Sequence, residues 1–284
     1  MPTAQLGDLR CHYLDQGSGP PLVLIHGLGS SARDWSFQFR VYARTFRVIA
    51  PDLRGFGASQ RKGPFRIEQY ASDLWALLGQ LGIDRFRLVG YSMGGAVALQ
   101  MAVTQPWRIE RLLISNSVPS FRPTLPGHWY MIGYRLLLMA LLGPKILGRA
   151  TAEQMFPKPE HAAMRRINAQ RAGRNSRWVY LRALWGLTRW SVVEALGNLT
   201  MPTMVIAGDH DYFSREEIVK FAHALPLGRM HIVRDAHHGL PQEHATEFNK
   251  LTLKFLLRGL VSPYEINAPE PPVVVRRESS SLPR

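Results

Sequence analysis

Cysteine is almost missing from this chain of 284 residues: Cys11 is the single one. No intramolecular disulfide can form, and thiolate metal clusters and the cystine frameworks of small secreted domains are excluded with it. Acidic residues are also few, 21 against 35 Lys and Arg, which leaves a formal charge of +14. No apolar run approaches the ~20 residues that a membrane-spanning helix needs. Met1 to Leu14 lacks the basic-then-apolar layout of a signal peptide, so a reducing cytoplasm is the expected address. Internal repeats are lacking too.

What is present is an ordinary globular composition, 46% hydrophobic and 20% charged, enough for a full core in one large domain with an insertion. The positive charge is unevenly placed. Between Phe121 and Thr200, twelve Arg or Lys stand against three Glu, a surplus of nine. Clustered cations attract phosphates, yet the segment has no helix-turn-helix, zinc-finger or RNA-binding signature, and nucleic acid is not an expected partner. The arginines read as a solvated helix face that can steer anionic substrates.

Short apolar runs alternate with helix-spaced stretches, the layout of a mostly parallel, doubly wound α/β sheet. Leu22–Ile25 ends at "HGLGSS", Arg47–Ala50 at "PDLRGFGAS", Phe86–Val89 at "GYSMGG", Leu112–Ile114 at "SNSVP", Met204–Ala207 at "GDHD" and Met230–Val233 at "RDAHHG". In an open parallel sheet, loops beyond the carboxyl ends of the strands gather on one edge, where ligands bind. Helical spacing covers Glu68 to Leu81, Met93 to Gln105, Arg215 to Ala224 and Glu243 to Leu257.

The alternation breaks between residues 120 and 198, which read as a helical lid inserted between core parts 1–119 and 199–261. Four of the seven tryptophans lie there, and Trp178, Leu181 and Trp185 follow helical spacing. Trp129 to Leu142 is apolar apart from Arg135. Three readings stay open for it: a helix packed on the core, an oily wall for an acyl or aromatic group, or a surface for peripheral membrane contact. Residues 262–284, rich in Pro and Ser, read as a flexible tail.

Chemistry concentrates in the Gly-rich loops. Gly90-Tyr91-Ser92-Met93-Gly94 is a G-x-S-x-G sequence between a strand and a helix, a context that makes a sharp elbow lifting one hydroxyl above the sheet. Side chains at 90 and 94 would collide with neighbouring backbone, and Ser92 would be strained. A serine hydroxyl is a poor nucleophile and needs an imidazole to take its proton and a carboxylate to orient that imidazole. "DAHHG" offers His237 and His238; "GDHD" offers Asp209 and Asp211. His26 reads as a loop brace, and Asp52 with Arg54 as a loop-holding ion pair.

The five ordered motifs "HGLGSS", "DLRGFGAS", "GYSMGG", "AGDHD" and "DAHHGLPQEHATEFN" make the chain similar to α/β-hydrolase fold proteins of the esterase and lactonase kind, over residues 6 to 258. The resemblance implies Ser92 as nucleophile, His238 as base and Asp211 as its acid, with backbone donors for the oxyanion at Leu28 and Met93. Asp209 and His237 remain alternatives, since "DYFSREE" lacks the family's usual proline and His237 stands where glycine is common. Gly27, Tyr91 and Trp129 are expected to line the substrate site. The implied activity is hydrolysis of a small carboxylic ester with an apolar acyl or aromatic group, with no metal and no organic cofactor. Lactone opening and carbon–carbon bond hydrolysis of a diketone-like compound use the same triad, and a catalytically inactive binding protein with a basic lid is the reading from a different class.

Overall fold

A computed structural model of the protein describes residues 2–124 and 126–258. The expected flexible tail, 262–284, lies outside the described residues.

Eight strands form one sheet in the order β1-β2-β4-β3-β5-β6-β7-β8. They are β1 (Thr3–Leu6), β2 (Leu9–Gln16), β3 (Pro21–Ile25), β4 (Arg47–Pro51), β5 (Phe86–Tyr91), β6 (Ile109–Ser115), β7 (Thr203–His210) and β8 (Gly228–His237). From β4 to β8 every pairing is parallel, whereas β1 and β2 join antiparallel at one edge. The six expected runs are the six parallel strands; β1 and β2 were not expected.

The central parallel strands are largely apolar because helices cover both faces of the sheet, with Arg87 buried within β5 and the edge strand β8 part-exposed. Along β3, Val23 and Ile25 join one core cluster while Leu22 and Leu24 join the other, as the two-residue period of a strand requires. The helices are α1 (Ser36–Tyr42), α2 (Ile67–Gln80), α3 (Met93–Thr104), α4 (Pro126–Leu137), α5 (Gly143–Met155), α6 (Ala162–Ala172), α7 (Arg177–Leu187), α8 (Arg215–His223), α9 (Leu240–Glu243) and α10 (Ala245–Leu257). Helix α3 is buried nearly all round, from Met93 through Leu99 and on to Ala102. Each of its large side chains removed from water contributes roughly 1.5–3 kcal/mol, so the helix behind Ser92 is among the most firmly held parts of the molecule.

Between β6 and β7 the chain is helical, α4 through α7. Three points differ from or add to what the sequence implied, two in this insertion and one in the loop after β4. The buried face of α7 is Val179, Tyr180, Ala183, Leu184 and Leu187, while Trp178 and Trp185 are more than half exposed. Helical spacing located the helix but not the side that packs. Second, the helical stretch Pro126–Met155 spans 30 residues and is apolar enough by length and composition to cross a membrane, although no such run was expected. Its continuity is broken at Gly143, whose φ of 80° and ψ of −176° are not helical. Third, Asp52 and Arg54 do not pair with each other. Asp52 accepts from His12 Nδ1 at 2.7 Å and from the backbone of Ala32 and Ala58, while Arg54 pairs bidentately with Asp73 at 2.7 Å.

Candidate active site

The turn after β5 is built as its glycines require. Ser92 has φ 53° and ψ −122°, a left-handed backbone that a residue with a Cβ adopts only at a cost of order 1–3 kcal/mol. A Cβ at Gly90 would meet the carbonyl of Gly94, and one at Gly94 the carbonyl of Ile25. The glycines therefore let β5, β3 and α3 close around the turn, and the rigid helix and sheet sustain the strain at Ser92.

Two other strand ends bring their loops to the same edge. His238 follows β8 and Asp211 follows β7, neighbouring strands whose register shifts between Gly208 and His210. A Cβ at Gly208 would collide with the Ala236 carbonyl, so glycine permits this bulge. His238 Nδ1 donates to Asp211 Oδ1 at 2.6 Å, and its Nε2 lies 3.0 Å from Ser92 Oγ. A carboxylate only accepts, so the proton sits on Nδ1, and Nε2 is the free acceptor for the serine hydroxyl.

Surrounding groups hold this line in place. Asp211 has a fully buried side chain; its Oδ1 also accepts from the Tyr212 N–H at 2.6 Å and its Oδ2 from Asn116 Nδ2 at 2.8 Å. The Tyr212 ring stacks on the imidazole of His238 with centroids 4.1 Å apart. Tyr91 Oη donates to the His238 carbonyl at 2.9 Å, and burial drives its phenol well above the usual pKa, so it stays a neutral donor. Asn116, at φ 51°, and Tyr212 were not singled out from sequence; the glycine-free loop "SNSVP" carries no local signal for that role.

The alternatives are engaged elsewhere. His237 Nδ1 donates to Glu243 Oε1 at 2.8 Å, and Asp209 accepts from the Ala236 N–H at 3.1 Å. Hydrogen bonds from the Asp235 and Ala236 backbone outweigh the partial desolvation that would raise Asp209, and hold its carboxyl below the ordinary range. His26 is the brace expected of it: Nε2 accepts from the Leu53 N–H at 3.0 Å and Nδ1 donates to Gly27 O at 2.8 Å. Burial lowers its pKa, which keeps the ring in that neutral tautomer.

Two cavities, of about 80 and 100 Å³, meet at Ser92, His238, Leu28, Arg135 and Tyr212. The first is lined by Ser30, Asp34, Asn168 and Arg171 beside Leu28, Ala152 and Met155, and includes Gly27 and Tyr91; the second is walled by Val118, Phe121, Met131, Ile132, Leu184 and Phe213, with Arg122, His128 and Glu217 among them. Trp129 lines neither and is 61% exposed, which corrects its expected place. On α4 the inward positions are His128, Met131, Ile132 and Arg135, a turn apart in the helical repeat, so Trp129 and Tyr130 point away. Arg135 lies 5.1 Å over the Tyr212 ring, and no carboxylate among the described residues forms an ion pair with it. No cluster of His, Cys, Asp or Glu able to hold a metal occurs among the described residues.

A strained serine after β5, an acid after β7 and a histidine after β8 sit within a fold that matches a known one: the Alpha/beta hydrolase family profile covers residues 22–251, and the chain belongs to that family. Among its relatives, the 2-hydroxy-6-oxo-6-phenylhexa-2,4-dienoate hydrolase of Burkholderia cepacia is 30% identical over 272 residues, covering 89% of this chain and 93% of that protein. The structure of the enol-lactonase from Burkholderia xenovorans LB400 superposes with a TM-score of 0.82 at 26% identity, over 90% of this chain and 99% of the other. A thermophilic esterase from Thermogutta terrifontis gives 0.80 at 27% identity, over 89% and 95%.

Proposed function

We propose that the protein is a serine hydrolase that cleaves small carboxylic esters through an acyl-enzyme, with Ser92, His238 and Asp211 as its catalytic triad. The observation that carries this reading is the unbroken line from Asp211 through His238 to Ser92, opening on the two-lobed cavity. Ser92 Oγ attacks the substrate carbonyl carbon while its proton passes to His238 Nε2, and Asp211 stabilises the imidazolium. The oxyanion is met by the N–H groups of Leu28 and Met93. Met93 opens α3, where helix geometry leaves the backbone N–H without an intrahelical acceptor and the helix dipole favours negative charge. The intermediate collapses, the leaving alkoxide takes the proton from His238, and water repeats both steps on the acyl-enzyme. The helical insertion serves as the lid whose inner face shapes the acyl lobe.

A second reading is hydrolysis of a carbon–carbon bond. It is favoured by the name of the Burkholderia cepacia relative, and by a cavity in which Arg135 stands among apolar side chains, which suits a substrate with an anionic end and an aromatic end. A lactone is the third candidate, in line with the enol-lactonase.

The test is a panel of a short p-nitrophenyl ester, a lactone and a 2-hydroxy-6-oxo-dienoate, assayed with wild type and Ser92→Ala. Turnover of the ester above the others, abolished in the variant, supports the first reading; preference for the dienoate establishes the second. Turnover that survives in Ser92→Ala would overturn the mechanism.

A further inference from the structure

One face of the helical insertion is apolar and uncovered among the described residues. Trp129, Tyr130, Leu137, Leu141 and Leu142 are each more than half exposed, and Ile146 continues the stripe at 39%. Isolated exposed apolar residues are normal, but a run of them along the outer side of α4 and on past its end to Leu142 and Ile146 is not. The opposite side of the same helix already lines the cavity through His128, Met131, Ile132 and Arg135, so this stripe cannot turn inward without emptying the cavity wall.

The stripe ends in cations. Arg177 Nη1 donates to the Ala140 carbonyl at 2.9 Å, and a groove of about 590 Å³ between α5 and α6 is lined by Lys145, Arg149, Arg165, Arg166 and Arg174, with Glu153 its one carboxylate. Arg165 is occupied by the carbonyls of Phe156 and Lys158. Lys145, Arg149 and Arg174 take part in no ion pair among the described residues. An apolar ridge bordered by unpaired cations is the signature of an interfacial surface.

Charge decides what covers it. A second copy would bring an equally basic segment against this one, and the sequence from 259 to 284 carries three Glu and three Arg, hence no opposite charge. We propose that this face docks on an anionic phospholipid bilayer, with Leu141 and Leu142 entering the acyl boundary and Lys145, Arg149 and Arg174 on the phosphate headgroups. The contact is peripheral: Gly143 ends the straight part of the helix, and Arg135 on its inner side belongs to the cavity. The proposal does not depend on the chemistry at Ser92.

The experiment is sedimentation of the full chain with vesicles of phosphatidylcholine alone or with about 30% phosphatidylglycerol added. At about 0.1 M salt the protein partitions at least ~10-fold more strongly to the anionic vesicles, and it is released at about 1 M, where the Debye length shrinks to about 3 Å. Leu141→Asp with Leu142→Asp, and separately Lys145→Glu with Arg149→Glu, each lower binding at least ~10-fold, while circular dichroism and thermal melts verify that the variants are folded. No binding to anionic vesicles, equal binding to both compositions, or full binding by the folded double-aspartate variant overturns the proposal, the last because charge alone would then suffice. Should that variant not fold, the charge-reversed pair and the comparison of the two compositions decide.

Discussion

Asn116 Nδ2 donates to Asp211 Oδ2 at 2.8 Å, and the Ser115 hydroxyl in turn donates to Asn116 Oδ1 at 2.7 Å, which fixes the amide's orientation. With one oxygen held by Asn116 and the other facing His238, the carboxylate has no freedom to rotate. Asn116→Leu is therefore expected to lower kcat roughly 10-fold, of the order seen when a group that positions a ligand is lost, with KM nearly unchanged. Asn116→Asp would place a second carboxylate against Asp211 and do more damage. A rise in KM with kcat intact would assign Asn116 to substrate binding instead.

The two adjacent histidines separate by their partners. His238→Ala is expected to reduce kcat by about three to six powers of ten, as loss of a triad base does. His237→Ala, whose ring is engaged by Glu243, should cost less than about 10-fold by comparison. By the same logic Asp211→Asn is expected to exceed Asp209→Asn in effect. Steady-state kinetics on the four variants check both orders, and a reversal reassigns the base or the acid.

Arg135 reaches both lobes of the cavity without a carboxylate partner. A guanidinium in such a place favours a substrate anion, worth about 1.5–3 kcal/mol per charge-assisted hydrogen bond. Arg135→Met is expected to raise KM for a carboxylate-bearing ester by about 10- to 100-fold and to leave a neutral ester of equal size nearly unaffected. Parallel loss on both esters would make Arg135 a packing residue.

Burial pushes the Cys11 thiol up to about 12, against the opposing hydrogen bond from Ser59. At pH 8 there is almost no thiolate to react. The native protein is expected to resist a disulfide reagent such as DTNB and to release one equivalent of thiol only on denaturation. Rapid labelling of the folded chain would mean that β2 opens easily.

Asp34 is titrated by burial in the opposite sense from an ordinary paired carboxylate. Desolvation raises its pKa, and the Ser30 hydroxyl and Arg171 only partly counter this. The native state thus binds this proton more tightly than the unfolded chain does. The associated stability is fully present below the ordinary carboxylate value and is lost as pH rises through the raised one. The melting temperature of wild type minus that of Asp34→Asn is expected to fall as pH increases from about 4 to about 8; a difference that grows with pH contradicts the assignment.

The parallel sheet was legible because its central strands, covered on both faces, read as short, largely apolar runs ending in glycine or a polar loop. Strands β1 and β2 escaped notice because they pack on one face only, and Thr3–Leu6 has a single fully buried residue. The approach of Ser92, Asp211 and His238 left local marks, since a crowded elbow demands Gly90 and Gly94 and a bulge demands Gly208. Asn116 and Tyr212 left none, and Arg135 showed only as the lone charge in an apolar stretch: each gains its place from a distant loop or helix. Trp129 was misplaced for a related reason, because helical spacing fixes which residues share a face but not which face the rest of the molecule covers.

Helix α4 contains no fully buried residue, whereas the far end of α5 is riveted to the histidine loop. Phe156 is wholly enclosed and presses so closely on Gly239 that a Cβ there would not fit, Lys158 bonds Asp235, and Asn168 bonds Gln242. The insertion is therefore fastened to the core twice, along α7 and at the end of α5, while α4 is held only by partly exposed side chains. The backing of the imidazole is thus clamped from the insertion side, and the cavity wall carried by His128 and Ile132 rests on a helix with no fully buried side chain.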